Sequence, residues 1–203
     1  MRNYAIFLMV LFLVFGCLPN RPAISTTYYS LDYAPEPIIF APQLPVSLNI
    51  AKFTCSYELN STEILFSSEP NTVTNYNYSR WRVYPSDMCT DFLVRDIRNS
   101  GFLLNVVKNQ NNANYNLETD LTEFMRIDDS NGSRVKLSLN CTLVDSQAET
   151  LMQKIIFSKN YAYEQSVQDQ SPWGMAQALS QAFAQFSAQI QKDIYSSLNQ
   201  QKK

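Results

Sequence analysis

Residues 115–143 read YNLETDLTEFMRIDDSNGSRVKLSLNCTL, and the reading of this stretch decides the fold. Tyr115, Leu117, Thr119, Leu121, Glu123, Met125 and Ile127 fall at every second position, as do Val135, Leu137, Leu139, Cys141 and Leu143. A period of two marks a strand with one buried face, because successive side chains point to opposite sides of the pleat. Asp128-Asp129-Ser130-Asn131-Gly132 joins the two runs, and Asn-Gly suits the positive φ of a hairpin turn. A second turn at 145–148 leads into Leu151 to Phe157, which predicts a three-stranded antiparallel meander with an apolar face.

Such a face needs a cover, and the C-terminal segment supplies one. Ser171-Pro172-Trp173 opens a helix, with Ser at the cap and Pro in the first turn. Met175, Leu179, Phe183, Phe186, Ile190, Ile194 and Leu198 then step by three or four and define one apolar stripe. The opposite face carries Gln177, Gln181, Gln185, Ser187 and Lys192. The stripe is expected to pack on the sheet, the functional alternative being that part of it docks a partner helix.

Upstream of the meander, Phe102 to Val107 is a continuous apolar run, expected as a strand buried on both faces, and 109–114 is an Asn-rich loop. Pro85-Ser86-Asp87 offers an N-cap and a first-turn acid to a helix with Met88, Cys89, Phe92, Leu93 and Ile97 at helical spacing, which Gly101 stops. Earlier strands are expected at 78–84, 63–66 and 44–50, the last alternating Leu44, Val46, Leu48 and Ile50. An aromatic strand over 28–33 precedes a crossing loop that Pro35, Pro37, Pro42 and Pro45 keep from being helical. The fold class is α/β bordering on α+β, a single domain with a mixed, largely antiparallel sheet flanked by two main helices.

Composition narrows the chemistry. The chain has 203 residues, 45% of them hydrophobic, enough for a sizeable core. Sixteen basic against 18 acidic residues give a net charge of -2 and no field to attract nucleic acid. The polar load is carried by 18 Asn and 14 Gln, a neutral hydrogen-bonding surface. The absence of His excludes Ser-His-Asp and Cys-His catalysis, and four Gly at 16, 101, 132 and 174 cannot assemble a GxGxxG or Walker loop. Asp128 and Asp129 are the carboxylates a hydrolase would use, yet they abut a turn where acids are common for local geometry. Cys55, Cys89 and Cys141 allow at most one disulfide and form no metal cage, and Cys141 lies on the apolar phase of its strand.

The N-terminus is an address. Arg2 precedes Tyr4 to Phe15, twelve uncharged residues that would span about 18 Å as a helix, against about 30 Å of membrane hydrocarbon. Residues 1–16 therefore read as a signal peptide rather than a span. Leu13-Val14-Phe15-Gly16-Cys17 resembles a bacterial lipobox, which implies cleavage before Cys17, a diacylglycerol on its thiol and an acyl chain, commonly palmitate, on its amine. Residues 17–27 then form a lipidated tether and 28–203 the body. Leu18, rather than Asp, follows the Cys, and resemblance to Gram-negative sorting implies the periplasmic face of the outer membrane.

The lipobox, Tyr28-Tyr29-x-Leu31-Asp32, the Pro-rich crossing, the Leu44-Pro45-Val46 strand and Tyr78-Ser79-Arg80-Trp81-x-x-x-Pro85 before a helix, with the element order after it, resemble the ABC-type transport auxiliary lipoprotein family. That family includes the lipoprotein of paraquat-inducible systems that accompany MCE-domain proteins. The resemblance implies a non-enzymatic subunit beside an MCE-domain protein and an ABC permease, helping phospholipid cross the envelope, held to the membrane by its lipid anchor. It implies no cofactor beyond the covalent acyl and diacylglycerol groups and no nucleic acid, and is compatible with phospholipid contact and with homo-oligomers. Tyr28, Tyr29, Leu31, Trp81 and Pro85 match its motifs, as partner-facing residues or as packing. The alternative function is a structural or assembly lipoprotein that binds another periplasmic protein without a role in lipid transport.

Overall fold

The computed structural model describes residues 25–35, 37–110, 112–130, 132–150 and 154–200. Nine strands form one mixed sheet: β1 Thr27–Tyr29, β2 Leu44–Ile50, β3 Thr54–Cys55, β4 Glu63–Ser67, β5 Thr74–Trp81, β6 Leu103–Lys108, β7 Tyr115–Asp129, β8 Gly132–Asp145 and β9 Ile155–Ser166. Two helices, α1 Pro85–Ser100 and α2 Pro172–Gln200, pack with it. The long ladders β7–β8 and β8–β9 are antiparallel, as the alternating pattern requires.

On its other edge β7 serves three short strands in succession. β2 pairs with Tyr115 to Leu117, β3 with Asp120 and Leu121, and β4 with Arg126 and Ile127, all parallel. The sheet thus forks beyond β7, one branch ending in β6 beside β2 and the other running β4, β5, β1. Each branch is covered where it meets a helix, α1 lying against β6 and α2 against β8, β9 and β1.

The hairpin forms, with one change of phase. Leu121 pairs with Leu139 and Glu123 with Ser138, so Thr122 is an extra residue, its hydroxyl donating to the Ser138 carbonyl at 3.1 Å. A one-residue bulge exchanges the two faces of a strand. Phe124 and Arg126, not Met125 and Ile127, are therefore the buried side chains after it. On β8 the expected face holds throughout, with Val135, Leu137, Leu139, Cys141 and Leu143 all fully buried.

Other expectations need correction. The third strand of the meander runs from Ile155 to Ser166, past the apolar run that announced it, because only Tyr161 and partly Phe157 and Tyr163 are needed on its inner face; residues 151–153 lie outside the described residues. β6 is an edge strand with Leu104 68% exposed, so the run there is not buried on both sides. The first strand is only three residues long. Beyond it Leu31 enters the core, its N–H donating to Met88 Sδ at 3.4 Å, and the Asp32 N–H donates to Ser180 Oγ at 2.9 Å. β5 ends at Trp81 and 82–84 leave the sheet.

Both helices start and stop largely for local reasons. α1 begins with Pro85 at its first position, so Tyr84 rather than Ser86 stands at the cap, and Gly101 ends it at φ 64°. Ser171 caps α2 by accepting the Gly174 N–H at 3.2 Å, and its own hydroxyl donates to Asp169 Oδ2 at 2.6 Å. The Ser171 hydroxyl, together with the Ser171 N–H that donates to Oδ1 at 3.0 Å, holds the Asp169 carboxyl below its ordinary pKa. The loop turns so tightly that a Cβ on Gly174 would come within 2.0 Å of the Asp169 carbonyl oxygen. Gly174→Ala is accordingly expected to cost about 1–3 kcal/mol, read from the midpoint of urea unfolding.

The α2 stripe packs as read, with every one of its seven residues buried. Ser187, expected on the polar face, is instead buried and donates to Asp96 Oδ2 of α1 at 2.6 Å. Tyr33 donates to the same oxygen at 2.6 Å, and Arg95 reaches Oδ1 through Nε at 2.8 Å, its guanidinium stacked over the rings of Tyr33 and Phe92. One carboxylate thereby joins the crossing segment, α1 and α2. A second tie runs from Tyr161 on β9 to Asp193 on α2 at 2.6 Å.

Burial dominates the titration of these groups. It holds the Tyr33 phenol far above its ordinary pKa of 10.0, with the Asp96 charge adding, and does the same to Tyr161, whose hydrogen bond to Asp193 adds. It also pushes the Cys141 thiol from 9.0 up to about 12. The unfolded chain loses these protons first, so this part of the stability is complete below the ordinary values and falls as pH rises above 9.0 for the thiol and 10.0 for the phenols. Each group adds a slope of about 1.4 kcal/mol per pH unit. Urea unfolding between about pH 8 and about pH 11 should show this loss, and Tyr33→Phe should reduce it.

A candidate anchoring and docking face

The first element among the described residues is β1, at one end of the strand order. β1 lies parallel to β5, with Thr27 beside Ser79, Tyr28 beside Arg80 and Tyr29 beside Trp81. The Arg82 N–H donates to the Tyr29 carbonyl at 2.8 Å, closing the strand end. Alternation then sorts the side chains. Tyr29 and Trp81 face the core, Trp81 fully buried with its ring centroid 5.3 Å from that of Phe124. Tyr28, 64% exposed, and Arg80 belong to the outer face; N-terminal to Ser79 the alternation of β5 breaks, since Glu63 pairs with Arg80 but Leu65 with Asn75, and Tyr78 in that irregular stretch is 53% exposed.

Four of the five motif residues are thus packing residues. Tyr29 and Leu31 hold β1 and the following segment onto the helices, Trp81 fills the interior, and Pro85 is buried at the first position of α1. Tyr28 alone is open to a partner. Tyr78 is exposed beside it, in the stretch where β5 slips its register against β4, and no local pattern marks that slip. Tyr84 and Val83, exposed just beyond, extend the surface toward α1. Cys17 lies outside the described residues.

The carboxylates at the hairpin tip are engaged. Asp128 takes an ion pair from Arg126 at 2.9 Å and the Ser133 hydroxyl at 2.5 Å, and Asp129 pairs with Arg134 at 2.8 Å. Arg126 is itself buried, donates to the Tyr76 hydroxyl and the Gln170 carbonyl, and lies over the Phe66 ring. The two aspartates border a cleft of about 770 Å³ between 67–71 and 127–130. Their geometry is that of a loop clamp. Cys55, Cys89 and Cys141 are free thiols, the latter two buried, so the one disulfide the count allowed is not formed. Among the described residues no three His, Cys, Asp or Glu gather around a common point, and no helix is long and apolar enough to cross a membrane.

Residues 29–191 match the model of the family described as the ABC-type transport auxiliary lipoprotein component. Among solved structures, a DUF330-family protein from Xanthomonas campestris is similar with a TM-score of 0.79 at 21% identity, over 87% of this chain and 99% of that one. An uncharacterized protein follows with 0.66 at 16% identity, over 84% of this chain and 99% of its own. A hypothetical protein from Chlamydia trachomatis gives 0.52 at 10% identity, over 76% and 98%. At these identities the likeness is one of fold. No curated protein matches the chain.

Proposed function

The chain belongs to the ABC-type transport auxiliary lipoprotein family, and from that premise we propose that it is a non-catalytic docking subunit of an MCE-type transport system. In this reading Cys17 carries the lipid anchor, residues 17–27 are the tether, and the body stands in the periplasm on the outer membrane. There it bridges an MCE-domain protein and an ABC permease that move phospholipid across the envelope. Two or three acyl chains anchor stably where one would not.

The observation that carries the docking role is the filled interior. The space between sheet and helices holds Trp81, Phe124, Phe183, Phe186 and the rest of one continuous core. Lipid traffic is then the work of the partners, and this subunit contributes position. The test is affinity isolation of the detergent-solubilised native complex beside Cys17→Ala. The native protein is expected to gain the mass of its acyl chains, fractionate with the outer membrane and recover MCE and permease subunits, while the variant leaves the membrane fraction. An acylated protein that recovers neither subunit overturns the transport role and favours the assembly alternative.

A further inference from the structure

We propose that the β1–β5 edge, where Tyr28 and Tyr78 are exposed, rests on the headgroup layer of the membrane that holds the acyl chains of Cys17. The inference depends on the anchored-lipoprotein reading. Two observations support it.

The first is chain length. Thr27, the first residue of β1, lies ten positions after Cys17. A flexible chain of that length has an end-to-end distance of about 18 Å and a full reach of about 35 Å. The folded body is itself about 40 Å across for its size. The tether therefore keeps the β1 edge near the headgroups.

The second is the character of the face. Tyr28 on β1 and Tyr78, the β5 residue just before the Thr27–Ser79 pair, are both more than half exposed. Tyrosine has an apolar ring and a polar tip, the combination enriched where hydrocarbon meets water. Trp173, also exposed, opens α2 three residues past Gln170, whose carbonyl takes the Tyr76 hydroxyl two residues before Tyr78. Leu104, also exposed, stands on β6 at the opposite end of the strand order from β1.

The experiment uses the full-length acylated protein with Tyr78→Trp in a Trp173→Phe background, leaving the buried Trp81 as a constant signal. It is reconstituted into vesicles of phosphatidylethanolamine and phosphatidylglycerol that carry lipids spin-labelled near the headgroup. The indole introduced at 78 is expected to shift to the blue and to be quenched roughly twofold, as an interfacial ring would be. A Leu104→Trp protein in the same background should stay unquenched. Equal, unquenched emission from both positions in protein that co-floats with vesicles overturns the inference and leaves the anchor standing. Emission at 78 that responds only when the solubilised partner complex is added also overturns it, giving the face to a protein. Native protein that carries no acyl chain on Cys17 and does not float overturns the anchored reading itself, and the inference with it.

Discussion

Asp96→Ala is expected to lower the stability of the fold by about 3 kcal/mol, far more than a typical surface change. The carboxylate is 1% exposed and receives Tyr33, Ser187 and Arg95 together. Removing it leaves two hydroxyls without their acceptor, and the Arg95 charge, about a third exposed, without its counter-ion. Each orphaned buried group costs its full desolvation, which exceeds the modest net gain of the bond it had. Asp96→Asn keeps an acceptor of the same shape and should cost less. Ser187→Ala alone should cost about 1 kcal/mol, and its effect should nearly vanish in the Asp96→Ala background, since the two changes remove one interaction. Urea unfolding of the four proteins tests this. A loss under about 1 kcal/mol for Asp96→Ala would mean the carboxylate does not join the helices.

Trp81→Ala is the second large effect, expected to cost about 4 kcal/mol through lost burial and an unfilled cavity. The indole is fully buried against Phe124, and its Nε1 has no hydrogen-bond partner among the described residues. Trp81→Phe therefore gives up no hydrogen bond, only volume, and should cost about 1–2 kcal/mol. The pair separates the two meanings a family motif residue can carry. A packing Trp loses stability in proportion to volume, whereas a partner-facing Trp would lose complex recovery at unchanged stability. If Trp81→Ala unfolds at the native urea midpoint yet recovers no partner, the burial reading fails.

The candidate face shows where sequence reasoning reached its limit. The segments Tyr28-Tyr29-x-Leu31 and Tyr78-Ser79-Arg80-Trp81 are legible as motifs, and their aromatic content points to packing. Which ring of each pair faces out depends on the parallel register of two strands about fifty residues apart, and no local pattern encodes that. Ser187 was similarly unreadable, because a small polar residue on a helix carries no sign of a carboxylate 91 residues away.

Elements set by their neighbours in the chain could be read directly. The period of two in β8, the seven-residue stripe of α2, the Ser171 cap and the Gly101 stop depend on residues within a few positions, so the sequence by itself determined them. The Thr122 bulge, the fork beyond β7, the length of β9 and the exposure of Tyr78 depend on what lies across the sheet. Only tertiary structure decided those. Pairing is a contact between distant segments, and its energy comes from Phe124 meeting Trp81, or β9 completing an inner face over α2, not from the local preference of either strand.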